Sequence, residues 1–336
     1  MKNKLPILIC FGTRPEWLKV KPLIDIMDKK EYKLLFTGQH EDLLKDIRVD
    51  FRVNIEDSFR HTRLDSIMIG CMEYFPNYNF SGVLVQGDTA SAFACALAAY
   101  HRGIKIYYME AGLRSYDLEN PYPEEGYRQM IARLADINFA PTQLSAENLD
   151  AERVKGDIHI VGNTVLDNLT KYDKGTYGDT ILVTMHRREN HHWMGEWFTE
   201  INNLAKIYPN LKFILPLHPN PNVQKHKGLL TNINVVEPLT HDETINILKD
   251  CKLVITDSGG LQEEGSFFNK KVIVCRKTTE RPEGIKTGHL YLCDSPKDLK
   301  ELFVKLEYNS YICKPCPYGD GRAAEKIKKI LDAEEF

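Results

Sequence analysis

The sequence predicts an α/β protein of two similar halves, each a parallel sheet covered by helices. Three observations carry this. Short apolar runs alternate with helical patterns along most of the 336 residues, as strands joined by helical crossovers do. The series stops in a polar, Gly-containing stretch, Lys171–Asp179, and then begins again. At ~150 residues per domain, the length suits two domains.

The elements follow in order. Pro6–Phe11 (PILICF) is a buried strand ending in Gly12-Thr13-Arg14-Pro15, with a helical pattern from Glu16 to Asp28. Leu34–Thr37 and Gly82–Gln86 are strands, the latter running into Gly87-Asp88-Thr89 and an Ala-rich helix, Ala90–Tyr100. Ile104–Met109 ends at Glu110-Ala111-Gly112, and a helix from Glu124 to Ala135 leads to the strand Ile137–Ala140. Ile158–Val161 runs into Gly162-Asn163-Thr164 and a short helix. Beyond the linker, strands are predicted at Ile181–Met185, Lys212–Leu215, Asn234–Val236, Leu253–Thr256 and Val272–Cys275. Helices fall between them at Gly195–Ile207, His241–Lys249 and Gly260–Phe268, and a last helix spans Gly321–Ala333.

Composition narrows the function. Lys and Arg number 44 against 47 Asp and Glu, a net charge of −3 that excludes a strongly basic nucleic-acid binder. No apolar run reaches the ~18 residues of a membrane span, and Met1–Cys10 lacks a small-residue cleavage site, so a cytoplasmic protein with no membrane partner is expected. Cys10, Cys251, Cys275 and Cys293 lie in or beside apolar runs, which argues against a disulfide framework. Cys313 and Cys316 form one C-x-x-C without a second pair, weak evidence for zinc, and no metal is expected.

Open parallel sheets bind ligands beyond the carboxyl ends of their strands, and the chemistry-bearing residues cluster there. Gly12-Thr13-Arg14 offers free N–H groups and a guanidinium to an anion. Asp88, Glu110 and the Glu124-Glu125 pair place carboxylates on one sheet edge. Each alone reads as an N-cap or a helix-dipole partner; together, carboxylates in a dry cleft shift one another's pKa and serve as acid and base. In the second half, His218 stands at a strand end, and Ser258-Gly259-Gly260 at a helix start forms an anion nest. Glu264 is placed to accept from ribose hydroxyls, with Arg276 and Thr278-Thr279-Glu280-Arg281 closing the same edge. A sugar nucleotide held across a cleft suits such a division of labour.

These residues resemble the non-hydrolysing UDP-N-acetylglucosamine 2-epimerase family. The resemblance runs through F-G-T-R-P-E from Phe11, T-G-Q-H from Thr37, G-D-T from Gly87, E-A-G-L-R from Glu110 and P-Y-P-E-E from Pro121. It continues through G-N-T-V-L-D from Gly162, H-R-R-E-N from His186, H-P-N-P-N-V from His218, D-S-G-G-L-Q-E-E from Asp257, T-T-E-R-P-E from Thr278 and P-Y-G-D-G from Pro317. It implies a GT-B architecture, two Rossmann-like domains facing across a cleft. Residues 1–170 would form the first, 171–316 the UDP-binding second, and 317–336 a helix returning to the first.

The implied reaction is inversion at C2 of a UDP-linked 2-acetamido sugar, through elimination of UDP, a 2-acetamidoglucal and re-addition. No cofactor is implied. A homodimer is. By motif match, Asp88, Glu110, Glu124 and His218 fall on catalytic positions. Arg14, Lys19, Ser258, Gly259, Gly260, Glu264, Arg276 and Arg281 fall on substrate-binding ones. The pattern departs from the family at Asp42 and Lys45, where substrate-activated members carry glutamines, so allosteric activation is in doubt. Alternatives are a related UDP-sugar (6-deoxy or L-configured), a hydrolysing epimerase releasing N-acetylmannosamine and UDP, a glycosyltransferase on the same fold, and a silent sugar-nucleotide sensor.

Overall fold

The computed structural model describes residues 5–40, 47–53, 63–73, 75–308 and 311–334. Asp42 and Lys45, on which the allosteric expectation turns, lie outside them. The chain divides into two compact units, Met1–Asn168 with Gly319–Phe336, and Leu169–Tyr318.

In the first unit the strands are β1 (Ile7–Phe11), β2 (Tyr32–Phe36), β3 (Phe51–Arg52), β4 (Gly82–Gln86), β5 (Ile106–Met109), β6 (Ile137–Ala140) and β7 (Asp157–Ile160). The helices are α1 (Arg14–Ile26), α2 (Arg63–Glu73), α3 (Ala90–His101), α4 (Glu124–Leu134) and α5 (Gln143–Ala151). Among the described residues the strands form one parallel sheet, ordered β3-β2-β1-β4-β5-β6-β7. Every residue of β1, β4, β5 and β6 is buried, because helices cover both faces; the runs are accordingly near-continuously apolar, with Gln86 and Asn138 as buried polar exceptions. The edge strands β3 and β7 are partly exposed. One face packs against the Ala-rich α3 with α2 and α4. The other packs against α1 and the last helix of the chain, whose Ala324, Ile327 and Leu331 are buried beside Val20, Leu23 and Phe139.

The second unit contains β8 (Thr180–Thr184), β9 (Lys212–Pro216), β10 (Asn234–Val236), β11 (Leu253–Thr256), β12 (Lys271–Val274) and β13 (Leu290–Leu292). Its helices are α6 (Met194–Ile207), α7 (Pro221–Gln224), α8 (His241–Asp250), α9 (Gly259–Phe267), α10 (Glu283–Thr287) and α11 (Leu299–Glu307). The final helix, α12 (Ala323–Ala333), belongs to the first unit. The second sheet is parallel, ordered β10-β9-β8-β11-β12-β13. Its core is built on Trp197, Phe198, Phe213 and Phe303.

In both sheets the chain order reverses beside the first strand, between β1 and β4 and between β8 and β11. Loops leaving neighbouring strands diverge at such a point and open a crevice. The segments that close these strands are those carrying the motifs.

The predicted strands and helices are present with ends that match or shift by one or two residues, since strand and helix ends fray. β3, α2, α5, α7, α10, β13 and α11, absent from the sequence prediction, complete the two sheets and their cover.

Candidate active site

The first unit brings its acidic positions to one sheet edge. Gly12 closes β1, where a Cβ would lie 2.0 Å from Thr37 Oγ1 and 2.2 Å from Ser91 Oγ. Only glycine fits there. Glu16 then folds back on its own helix start. Its Oε2 accepts from the N–H groups of Gly12 (3.0 Å) and Thr13 (2.7 Å), and its Oε1 from Thr89 Oγ1 (2.6 Å). Thr13 accepts from Glu16 N in return, completing a capping box. Thr89 caps α3. One buried carboxylate thus ties the β1–α1 turn to the β4–α3 turn, and its burial outweighs its donors to raise its pKa.

Glu110 follows β5 with φ at 63°, a left-handed conformation rare for a residue with a side chain. Donors to its carboxylate include Lys19 Nζ at 2.5 Å, Gln86 Nε2, and Asn163 Nδ2 at 3.3 Å. A Cβ on Gly87 would lie 3.5 Å from its Oε2, so Glu110 sits beside the turn that carries Asp88. The Asp88 carboxylate is paired with Arg128 Nη2. Arg128 Nη1 reaches Glu125 Oε2 at 3.3 Å, and Glu125 accepts from the Ser115 and Tyr116 N–H groups at 2.9 and 3.2 Å. Glu124, the first residue of α4, differs from both. Its Oε2 is buried with no hydrogen-bond partner. Arg14 is exposed on the first turn of α1 and joins none of these carboxylates in a recorded contact.

The second unit gathers its predicted substrate-binding residues around the start of α9. α9 begins at Gly259 after Ser258, whose side chain makes no capping bond to the first N–H groups. The Gly259 Cβ position lies 3.0 Å from Arg281 Nη1. Arg281 is paired with Glu263 (2.7 Å) and Glu280, and Arg276 with Glu189 (2.6 Å) and Glu280 (3.1 Å). Both guanidiniums are buried and neutralised. They shape the nest more than they add charge to it. Glu264 is buried and bonded to His241 Nε2 at 2.8 Å, a contact that raises the histidine's pKa. Thr240, at the end of the loop after β10, caps α8 and so places His241.

His218 is exposed after β9. Its Nδ1 accepts the Asn220 N–H at 3.2 Å, which leaves the proton of the neutral ring on Nε2. Its ring stacks on His186, centroids 5.4 Å apart and planes at 20°.

Residues 25–332 match the sequence profile of the UDP-N-acetylglucosamine 2-epimerases. The chain belongs to this family of isomerases. The UDP-N-acetylglucosamine 2-epimerase of Campylobacter jejuni is 39% identical over 97% of this chain and 97% of its own. The solved structure of UDP-GlcNAc 2-epimerase from Neisseria meningitidis bound to UDP-GlcNAc has a TM-score of 0.84 and 32% identity, covering 98% of this chain and 100% of that one. That of the Methanocaldococcus jannaschii UDP-GlcNAc 2-epimerase in complex with UDP-GlcNAc and UDP has a TM-score of 0.81 and 27% identity, with 98% and 100% covered. The architecture is therefore the GT-B fold of these 2-epimerases.

The sequence reading names these candidate carboxylates but not what holds them. Gln86, Asn163 and Arg128 were not singled out, though Gln86 and Asn163 close strands and Arg128 lies one helical turn beyond Glu124 and Glu125. Asp257 and His186 likewise stand at strand ends. Among the described residues no group of three or more His, Cys, Asp or Glu is arranged to hold a metal ion, and no helix is long and apolar enough to cross a membrane.

Proposed function

We propose that the chain interconverts UDP-N-acetylglucosamine and UDP-N-acetylmannosamine without net hydrolysis. The reaction is anti elimination of UDP followed by its re-addition. The C2–H and C1–O bonds break, a C1=C2 double bond forms, and UDP leaves with the electron pair. The 2-acetamidoglucal is then protonated at C2 on the other face as UDP returns to C1. Such a reaction needs a base and an acid on opposite faces, and cations and N–H groups for the leaving diphosphate.

The observation that carries this reading is the trio of separately held carboxylates. Glu110 faces a lysine and two amides, Asp88 faces an arginine, and Glu124 keeps a buried oxygen without a donor. His218 donates from Nε2 to the departing phosphate. The N–H groups at Ser258, Gly259 and Gly260 hold the diphosphate, with Arg14 and Lys19 as further cations, and Arg276 and Arg281 brace that site. Glu264 takes the ribose. On the same reading the enzyme is a cytoplasmic homodimer. The UDP-GlcNAc and UDP named with the Neisseria and Methanocaldococcus structures support a UDP-sugar as ligand.

Incubation with UDP-N-acetylglucosamine in D2O, followed by NMR, tests this. UDP-N-acetylmannosamine with deuterium at C2 of both sugars is expected. Free N-acetylmannosamine with UDP would make the enzyme hydrolysing, and no turnover would point to a modified UDP-sugar.

A further inference from the structure

Asp257 is fully buried between β11 and the anion nest. Its carboxylate accepts the His186 N–H on both oxygens (3.1 and 3.0 Å), the Arg187 N–H at 2.9 Å and Asn190 Nδ2 at 3.1 Å. Asn190 Nδ2 also donates to the Cys275 carbonyl at 2.9 Å. All the side chain's recorded donors come from one five-residue segment, which is thereby drawn onto the ends of β11 and β12. The His186 ring is held with Nδ1 3.5 Å from Asp257 Oδ1, and its other contact of note is the face of His218.

His218 needs such a support. It is exposed on a loop, and beyond this stack its ring's one recorded side-chain bond is the Asn220 N–H at Nδ1. An exposed histidine so tethered hops between rotamers. A stacked ring removes that freedom. We propose that His186, fixed by Asp257, is a positioning residue that orients the His218 ring and keeps its Nε2–H on one bearing. This rests on the reading that His218 assists the departing phosphate. Burial holds His186 below the usual histidine pKa, which favours the uncharged supporting ring.

The test compares His186→Ala, which removes the ring, with His186→Phe, which keeps the stack and loses the nitrogens. In the alanine variant kcat falls about 10- to 100-fold while KM for UDP-N-acetylglucosamine moves less than about threefold; the phenylalanine variant recovers kcat to within about fivefold. The side-chain 15N resonances of His218, read without substrate, show the Nε2–H tautomer in wild type and His186→Phe and an averaged signal in His186→Ala. An alanine variant with wild-type kcat and an unchanged His218 signal overturns the proposal. So does one in which UDP affinity and kcat fall together, since that marks a structural residue. If wild type itself does not turn over UDP-N-acetylglucosamine, the functional reading fails, and the His218 resonances still decide this inference.

Discussion

Glu110 shows at the scale of one residue how the site is held. A left-handed backbone costs roughly 1–2 kcal/mol for a residue with a Cβ, and it persists here because Lys19, Gln86 and Asn163 fix the carboxylate at its end. Asp88→Asn or Glu110→Gln should therefore abolish turnover, measured by epimer formation, while UDP affinity stays within about tenfold. Equal loss of both would mark the residues as structural. A second residue bears on stability alone. Burial pushes the His289 imidazole down to about 4, and its Nε2 is buried with no hydrogen-bond partner. The fold thus favours the neutral ring, and between about 4 and the ordinary value near ~6.5 the unfolded chain binds more protons. Its contribution is fully present above the unfolded pKa and is lost as pH falls through that window. Melting temperatures measured from pH 7 to pH 4 should drop more steeply for wild type than for His289→Phe.

Elements explain why the site's residues were legible in part. Strands buried on both faces read as near-continuous apolar runs, so β1, β4, β5, β11 and β12 stand out, and the polar residues that follow them mark the edge of the candidate site. Asp88, Glu110 and Ser258 were readable for that reason, and His218 because it follows the short apolar run of β9. Their partners were not, because a bond such as Arg128 to Asp88 spans 40 residues and depends on how α4 packs. α11 carries an amphipathic pattern, LKELFVKLE, and was within reach of the same reading. The loop 115–123 before α4 has no period at all; Glu125 holds its start. Close packing of turn against turn is equally invisible in sequence. At Gly12 it predicts that Gly12→Ala destabilises the protein by about 2–3 kcal/mol, since β1, Thr37 and Ser91 are all fixed. Urea denaturation checks this, and a midpoint equal to wild type would mean that the turn can yield.

For the whole molecule the telling feature is α12. It supplies Ala324, Ile327 and Leu331 to the core of the first unit, and Asp167 accepts the N–H groups of Ala323 and Ala324 at 3.1 and 2.8 Å to hold its start. Residues 169–318 are continuous and own a separate core. They should fold alone, with a cooperative melt by circular dichroism, whereas residues 1–168 should not until a peptide spanning 319–336 is added. A cooperative melt of 1–168 by itself would refute this. The arrangement also sets a timetable. Domains are completed as the ribosome delivers them, yet here the half translated first has to wait, one apolar face uncovered, while the half translated second can already be finished. A cell making this enzyme therefore carries each nascent chain through its whole synthesis with an open wound, and chaperone demand should fall on residues 1–168 long after they have left the exit tunnel.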